Sequence, residues 1–308
     1  MIAVYIVWGS TYLAIKFAVQ TMPPFLMAST RFLIAGSILY LFRRLLKDPR
    51  PQRIEWRSAA IVGFFLLVVA NGCVVWAEQR VPSGIAALLV AAAPLWMVLI
   101  DWVRPPGRPP AKLALLGVLL GFVGIVVLIG PSEFIGMKGS IDRLGALALL
   151  VSSFSWAFGS LYSRQAKLPA SPLLGTGMEM LMGGMGLLLV GTIAGEWQRL
   201  QLAEISTRSI IGLVYLIVFG SWVGFAAYTW LLRVASTTLV STYAYVNPLV
   251  AICVGSLLAN EPITPRVLVA AMVIIGSVIL ITLNQSIVRK AYPQEQSPIP
   301  AIEEIPRD

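Results

Sequence analysis

Ten separate apolar runs divide this chain of 308 residues, and each is close to the length that crosses a lipid bilayer. A membrane-spanning helix needs about 20 mainly apolar residues to cross roughly 30 Å of hydrocarbon. Connections as short as three residues separate some of the runs, which makes neighbouring helices antiparallel. The predicted spans are residues 2–20, 24–46, 57–77, 82–103, 111–129, 144–163, 172–194, 208–232, 236–259 and 265–284.

The composition supports hydrocarbon as the solvent of these runs. Hydrophobic residues make up 58% of the chain and charged residues 12%, against roughly 45–50% and about 25% in soluble globular domains. A net charge of +9 would suggest a nucleic-acid partner in a soluble protein. Here the charges lie mostly between the apolar runs, so we predict no nucleic-acid partner. The chain is predicted to be an all-α integral membrane protein in contact with the lipid bilayer.

The first apolar run is interpreted as a span and not as a cleavable signal peptide. It has no basic leading segment, and it carries Trp8, Tyr12 and Lys16. A signal peptide has a short apolar centre followed by a small-residue cleavage site. This run has neither feature.

The residue content argues against enzymatic function. The chain has no histidine, which removes the commonest general base, metal ligand and neutral-pH proton relay. Cys73 and Cys253 both fall inside apolar runs and are predicted to be buried thiols. No nucleophile elbow and no Walker-type phosphate loop occurs. We therefore predict no catalytic residues, no metal site, no cofactor and no direct use of ATP.

The distribution of basic residues predicts the orientation of the spans. Of the 23 lysines and arginines, fifteen fall in loops on the side of the amino terminus and six in loops on the other side. Lys16 and Arg31 lie within spans. Cytoplasmic loops carry the excess of basic residues. Both termini are therefore predicted to be cytoplasmic.

The two halves of the chain match each other at rare residue types. A shift of 148 residues aligns a tryptophan and a proline of the first half with the same types in the second, and a shift of 154 aligns another such pair. Chance matches are common among leucines but rare among tryptophans and prolines. The matched pairs are Trp8 with Trp156, Pro24 with Pro172, Trp76 with Trp230, and Pro94 with Pro248.

This repeat predicts the domain organisation. Residues 1–129 form a first five-helix repeat and residues 144–284 form a second. Because five is an odd number, the second repeat must be inverted relative to the first. Inverted repeats are how many secondary carriers build a substrate site near the membrane midplane. The polar, proline-rich tail, 285–308, is predicted to be disordered in the cytoplasm.

Several stretches of the sequence are similar to a known family. WGSTYLAIK (8–16), PPFLMASTRFLIAG (23–36) and VPSGIAALLVAAAPLW (81–96) resemble the first half of EamA-family permeases, which belong to the drug/metabolite transporter superfamily. SWAFGSLYSR (155–164) and YAYVNPLVA (243–251) resemble the second half. The resemblance covers nearly the whole chain apart from the tail and extends to the YedA-type inner-membrane permeases.

The resemblance implies a ten-helix, inverted-repeat carrier of the inner membrane, with a central cavity and a small-molecule substrate. Export of amino acids or related metabolites is the first function that it implies. A multidrug or lipid-linked metabolite flippase is the alternative. A membrane-embedded enzyme would need convergent catalytic groups, and a passive scaffold has no need of inverted halves, so both are less favoured.

Two prolines at equivalent positions are candidates for the substrate path. Pro94 and Pro248 each lie about twelve residues into a predicted span. A proline inside a helix removes a hydrogen bond and opens the helix locally. In carriers such breaks line the path or act as hinges, whereas a simple kink is the other interpretation.

Polar and aromatic side chains within the spans are the remaining cavity candidates. In the ninth span, Tyr243 and Asn247 are four residues apart, as are Ser241 and Tyr245, so each pair shares one helix face. An aromatic wall with a few polar groups suits a metabolite pocket, but packing and hydrogen bonds between helices would explain the same residues. The candidates are Trp8, Tyr12, Asn71, Trp156, Tyr243, Tyr245 and Asn247.

Two charges lie deep within predicted spans. Arg31 and its repeat equivalent Glu179 are each seven residues inside a span, which is roughly 10 Å from opposite surfaces. A charge at such depth needs a cavity or a partner. Glu179 is a candidate for proton coupling or amine binding, and Arg31 for binding a substrate carboxylate. Structural pairing or a gate contact is the alternative for both.

Other features of the spans have simpler interpretations. Lys16, Glu78 and Asp101 lie near span ends, where long side chains extend to the headgroups. Gly117, Gly121 and Gly124 allow close helix packing. The fifth and tenth spans have almost no polar residues. Both spans are therefore predicted to face lipid or a second copy of the chain in a homodimer.

Overall fold

The structure of the protein, a computed structural model, describes residues 2–103, 112–129, 142–224, 227, 231 and 243–291. The side chains of Tyr245 and of residues 284–291 lie outside this description, as does most of the predicted disordered tail.

Helices account for nearly all of the described first half, residues 2–129. The third predicted span is continuous, although a π-helical segment replaces its middle. The fourth predicted span is interrupted between α5 and α6, just before Pro94. The elements are α1 (Ile2–Ala18), α2 (Pro24–Leu45), α3 (Arg53–Gly63), the first π segment (Phe64–Asn71), α4 (Gly72–Ala77), α5 (Ser83–Val90), α6 (Ala93–Val103) and α7 (Lys112–Ile129).

The described residues of the second half, 142–224, 227, 231 and 243–291, begin with a similar order of elements. A second π segment again follows a helix in the third position of the half. The last helix runs to Ala291, seven residues beyond the predicted end of the tenth span. The elements are α8 (Arg143–Ser163), α9 (Pro172–Ile193), α10 (Glu196–Arg199), α11 (Thr207–Tyr215), the second π segment (Leu216–Val223), α12 (Tyr243–Ala259) and α13 (Pro265–Ala291).

Seven of the described helical stretches are long and apolar enough to cross a membrane, and three further apolar helices are shorter. The all-helical membrane fold predicted from the sequence is therefore confirmed for the described residues. The count of ten spans and the cytoplasmic position of both termini stay predictions. The shorter helices are Ile2–Ala18, Thr207–Val223 and Val246–Ala259.

Local sequence signals set where several helices begin. Pro24 and Pro172 occupy the first helical position of α2 and α9, where a missing backbone N–H costs no hydrogen bond. Asp142 accepts a hydrogen bond from Gly145 N–H at 2.6 Å and so caps α8. Capping by a side-chain oxygen satisfies one of the backbone donors that a helix start leaves unpaired.

Helices α2 and α9 form the most extensive contact between the two halves among the described residues. A Cβ at Gly36 would lie 2.8 Å from Met180 Cβ and 2.9 Å from the carbonyl oxygen of Gly177. A Cβ at Gly184 would lie 2.9 Å from Leu33 Cγ. Small residues of this kind let helix backbones approach in membranes, where packing takes over from the hydrophobic effect.

The contacts between halves occur in reciprocal sets. Helix α1 packs on α12 and on the second π segment, while α8 packs on α5 and on the first π segment. Helix α9 packs on the first π segment, and α2 packs on the second. In the repeat, α8 corresponds to α1, α9 corresponds to α2, and the two π segments correspond to each other. The contacts that α1 and α2 make with the second half are therefore matched by those that α8 and α9 make with the first half.

Helices α7 and α13 pack on each other through the predicted small-residue positions. A Cβ at Gly117 would lie 2.8 Å from Ile281, and one at Gly124 would lie 2.7 Å from Ile274. The opposite side of α7 exposes Leu116, Leu119 and Val123. An exposed apolar face is what lipid contact requires.

Candidate functional site

The two π segments are the least regular part of the spans and lie at equivalent positions. The first covers Phe64–Asn71 and the second covers Leu216–Val223, 152 residues later. A π-helical turn is rare and is frequent at functional sites, because it widens the helix and shifts its hydrogen bonds. Side chains of the other half bond to carbonyls here: Ser155 Oγ donates to Phe65 O at 2.7 Å, and Trp8 Nε1 donates to Gly220 O at 3.3 Å.

Arg31 extends from α2 to the second π segment. Its Nε donates to Ser221 Oγ at 3.1 Å, and its guanidinium lies 4.7 Å from the centre of the Phe32 ring. The residue is only 5% exposed. A Cβ at Gly220 would lie 3.1 Å from Arg31 Nη2, so the absence of a side chain there makes room for the guanidinium. The structure therefore gives this deep charge a polar partner and an aromatic face.

Glu179 occupies the equivalent position on α9 and faces the first π segment. It lines a cavity of about 10 Å³ together with Leu66 and Leu67 of that segment. Trp156, Thr176 and Met180 complete the lining. A cavity of this size holds about one water molecule. Of the predicted site residues, Trp156 and Glu179 are thus brought together, whereas no ion pair joins Glu179 to Arg31.

Trp8, Tyr243 and Asn247 meet between α1 and α12. The rings of Trp8 and Tyr243 make an edge-to-face contact, with 5.3 Å between their centres. With its amide oriented to suit its neighbours, Asn247 Nδ2 donates to the carbonyl oxygens of Tyr5 and Tyr243 at 3.3 Å each. Tyr243 and Asn247 both contact α1, so both lie on the side of α12 that faces α1. The Asn247 amide here serves the interhelical hydrogen bonding that the sequence left as one alternative.

The two prolines have different local surroundings. Pro94 follows a real interruption, because α5 ends at Val90 and α6 begins at Ala93. Pro248 lies inside α12, which continues on both sides of it. The predicted local opening is therefore present at Pro94. At Pro248 the helix is unbroken, because a single proline removes one donor and neighbouring turns retain theirs. The side chain of Tyr245 lies outside the described part of the chain.

Tyr12 and Asn71 are half-buried and do not contribute to the Trp156–Glu179 cavity. Tyr12 packs against the main hydrophobic core. Asn71 ends the first π segment, and its Oδ1 is buried without a hydrogen-bond partner among the described residues. An unsatisfied buried acceptor is costly unless a water or ligand pairs with it. Asn71 therefore remains a candidate for binding a polar group of a substrate or a water molecule.

Sequence reasoning missed the two π segments and Ser221. A π segment has no periodicity that distinguishes it from an α-helix in a uniformly apolar run. The available signal was a small and a polar residue side by side in an apolar run, as in Asn71–Gly72 at the end of the first segment and Gly220–Ser221 within the second. Ser221 is fully buried and accepts a hydrogen bond from Arg31. A serine within an apolar span is therefore the kind of residue that identifies the partner of a deep arginine.

A second polar cluster joins both halves at the predicted outer end. Lys16 Nζ donates to Glu261 Oε1 at 2.6 Å. Glu78 is 2% exposed. The expectation that these side chains extend to the headgroups is wrong for Lys16, which pairs with Glu261, and for Glu78, which is buried. Sequence reasoning did not identify Glu261. Asp101 is exposed, as expected.

A cleft of about 300 Å³ opens beside this cluster at the same end. Its walls include Gln20, Gln79 and Arg199. Glu196, also in the lining, accepts hydrogen bonds from Phe25 N–H at 3.2 Å and Leu26 N–H at 2.9 Å, at the start of α2. Burial raises the pKa of Glu196, while these backbone hydrogen bonds act in the opposite direction. Glu196 therefore ties the end of α9 to the start of α2.

The arrangement of apolar spans, reciprocal contacts and charges facing irregular helix segments defines the class of membrane transporters. The model of the EamA-like transporter family matches residues 1–130 and 143–283. The chain is 39% identical over 286 residues to the uncharacterized inner membrane transporter YedA of Escherichia coli strain K12, covering 92% of this chain and 90% of that protein. The chain therefore belongs to the EamA-like transporter family.

More distant relatives agree with this assignment. Protein PecM of Dickeya dadantii is 26% identical over 295 residues, which is 94% of each chain. A WAT1-related chloroplastic protein of Arabidopsis thaliana is 27% identical over 289 residues, covering 92% of this chain and 69% of that one. A crystal structure with 20% identity shares the fold, with a TM-score of 0.62 over 92% of this chain and 95% of the other. The protein is a multi-pass inner-membrane transporter.

Proposed function

We propose that this transporter is a secondary carrier that exports amino acids or related small metabolites by alternating access. The observation that carries the proposal is the reciprocal set of contacts between the two halves, with a π segment in each. Two inverted five-helix repeats, residues 1–129 and 144–284, account for this reciprocity. Carriers of this architecture switch access by rocking one repeat against the other around a central site.

In this proposal the two deep charges give the path its chemistry. Arg31 at the second π segment binds a substrate carboxylate, and Glu179 at the first binds an amine or a coupling proton. A zwitterionic amino acid offers both complementary charges. Trp156 supplies an apolar wall beside Glu179, and Trp8 with Tyr243 supplies another near the second π segment. Mainly apolar walls with a few placed polar groups are typical of small-molecule sites.

Reconstitution of the purified protein into liposomes tests the proposed function. Vesicles preloaded with labelled amino acids, under an imposed pH gradient, should lose label several-fold faster than vesicles without protein. Release of labelled lipid-linked substrates or hydrophobic dyes, with no movement of amino acids, would favour a flippase instead. If no solute moves under any gradient, the carrier proposal fails.

The prolines provide a test of the hinge interpretation. We expect Pro94→Ala to lower the transport rate at least threefold while expression and monodispersity stay normal, because the alanine N–H can donate to the Val90 carbonyl, which joins α5 to α6 and stiffens the interruption. Pro248→Ala should have a smaller effect, since α12 is already continuous there. Initial transport rates in liposomes measure both.

Pro24→Ala is the control for the proline variants. Pro24 occupies the first turn of α2, where proline breaks no hydrogen bond. Equal rates for Pro94→Ala, Pro24→Ala and the wild type would leave Pro94 as a simple kink.

A further inference from the structure

Glu261 ties three separate segments together at the predicted outer end. Its Oε1 accepts hydrogen bonds from Lys16 Nζ at 2.6 Å and Ser83 N–H at 2.9 Å. Its Oε2 accepts from Ser83 Oγ at 2.9 Å and Gly84 N–H at 3.2 Å. The carboxylate thus holds the end of α1 and the start of α5 against the turn that follows α12. Charge-assisted hydrogen bonds of this kind are about twice as strong as neutral ones.

Two of the three segments that Glu261 joins lie next to helices that contain the predicted hinge prolines. Helix α5 leads into the interruption before Pro94, and α12, which contains Pro248, ends just before Glu261. A rearrangement at either proline displaces α5 or the end of α12. We therefore expect an opening of this end to separate Glu261 from Lys16 or from Ser83.

Glu78 lies in the same cluster, near the backbone and the side chain of Lys16. It follows Ala77, the last residue of its span, and is 2% exposed. Neither carboxylate oxygen has a hydrogen-bond partner among the described residues. A buried carboxylate without such partners is strongly disfavoured relative to the neutral acid.

The charges that face Glu78 do not offset the cost of burying its ionised carboxylate. Glu261 and Lys16 act on it from the neighbouring segments, and the Tyr12 phenol faces it from α1. Lys16 is already paired with Glu261, so the pair is close to neutral and Glu78 is the surplus carboxyl group. Burial and the nearby Glu261 carboxylate raise the pKa of Glu78 well above its ordinary value, although Lys16 opposes them.

Glu261 itself shows the opposite behaviour. Burial acts to raise its pKa, but the hydrogen bonds from Lys16, Ser83 and Gly84 outweigh this effect, and the pKa is lowered. The pKa values of two carboxyl groups in one cluster are thus shifted in opposite directions. Such a division marks one group as the ion-pair partner and the other as the proton acceptor.

We propose that Glu78 is a proton-binding site that controls opening of the predicted outer end, where the Lys16–Glu261 contact closes the path. In the closed arrangement Glu78 is a neutral acid. When the end opens, water reaches Glu78, its O–H bond breaks and the proton passes to that water. Lys16, released from Glu261, then has the Glu78 carboxylate as a new partner. The proposal rests on the carrier function proposed above.

The sign of the pH effect follows from linkage. Because the closed arrangement raises the pKa of Glu78, proton binding stabilises closure below the pKa of the open form. This stabilisation is lost as the pH rises through the pKa of the closed form. One proton changes the ratio of open to closed protein by at most about tenfold per pH unit. Raising the pH from 5.5 to 8.5 should therefore open this end.

Cysteine accessibility measures this opening without any substrate. Val81, 1% exposed between Glu78 and Ser83, is replaced by cysteine in a Cys73→Ser, Cys253→Ser background. The purified protein in detergent is labelled with a bulky maleimide at pH 5.5 and pH 8.5. At each pH, the labelling rate of this reporter protein is divided by the labelling rate of the reporter protein that also carries Glu78→Gln. This division cancels the intrinsic pH dependence of the thiol.

We expect this rate ratio to rise at least fivefold from pH 5.5 to pH 8.5, because glutamine is neutral at both values and keeps the end closed. Glu261→Gln, which weakens the closing contact, should increase labelling at least threefold already at pH 5.5. Glu204→Gln is the matched control, since Glu204 is an exposed carboxylate at the same end. It should label like the unmodified reporter at both pH values.

A rate ratio that does not change with pH would overturn the proposal, as would a Glu261→Gln protein that labels no faster than Glu204→Gln at pH 5.5. This result is independent of transport. Liposomes that move amino acids while the ratio stays flat would remove only the Glu78 proposal. If the labelling-rate ratio depends on pH but the protein moves no solute, the Glu78 proposal is supported and the carrier proposal is contradicted.

Discussion

Replacing Gly36 by valine is expected to destabilise the protein more than any other single change at a helix contact described above. A Cβ at this position would lie 2.8 Å from Met180 Cβ and 2.9 Å from both Gly177 O and Leu181 N. Two of these three neighbours are backbone atoms of α9, which cannot rotate away. Overpacking of this kind costs about 1–3 kcal/mol and more when the backbone must move. The apparent Tm in detergent should fall by about 5–10 °C.

Gly276→Val is the matched control for this change. Gly276 is also within a helix, and a Cβ there meets no atom within 4 Å. Both variants introduce the same β-branched side chain, so any difference in Tm reports the α2–α9 contact and not helix propensity. Equal Tm values for the two variants would show that the two halves do not approach each other at Gly36.

Glu179→Gln is expected to produce the largest functional loss. The carboxylate is removed from the small cavity beside Trp156, while the side-chain size is kept. If Glu179 binds the amine of the substrate, transport of labelled amino acids in liposomes should fall at least about tenfold, equivalent to about 1.4 kcal/mol of lost binding. Folding should be retained, because the described residues give Glu179 no ion pair that glutamine would break.

Asp101→Asn controls for the loss of one negative charge in a span. Asp101 is exposed near the end of α6, and its replacement should leave the transport rate within about twofold. A Glu179→Gln protein that transports at the wild-type rate, with unchanged pH dependence, would give Glu179 a structural role only. The Glu78 gate would be unaffected by that outcome, since its readout needs no substrate.

The repeat explains why the sequence led to Arg31 and Glu179 but not to their surroundings. A charge in an apolar span is visible in the sequence, and the shift of 148 residues relates the two positions. What each charge faces depends on the other half. Ser221, which bonds Arg31, and Leu66, which lines the Glu179 cavity, come from helices 190 and 113 residues away in the chain.

The cluster at the predicted outer end illustrates the same limit. Lys16 and Glu78 lie near span ends, and from sequence the simplest expectation was contact with water and headgroups. Glu261 lies 245 residues from Lys16, and nothing local to either residue marks them as partners. The pairing exists because α1 packs on α12, which is a tertiary fact.

The residue pattern alone was sufficient to predict the all-helical membrane class, the matched halves and the two deep charges. These follow from hydrocarbon length, from rare residue types at fixed spacing and from the cost of charge in lipid. Tertiary packing was needed to show which segment each charge faces and where the helices become π-helical. It was also needed to show that Glu261 pairs with Lys16 while the carboxylate of Glu78 is buried nearby. In a uniformly apolar chain, hydrophobicity identifies the helices but does not specify their partners, because lipid and another helix are equally apolar.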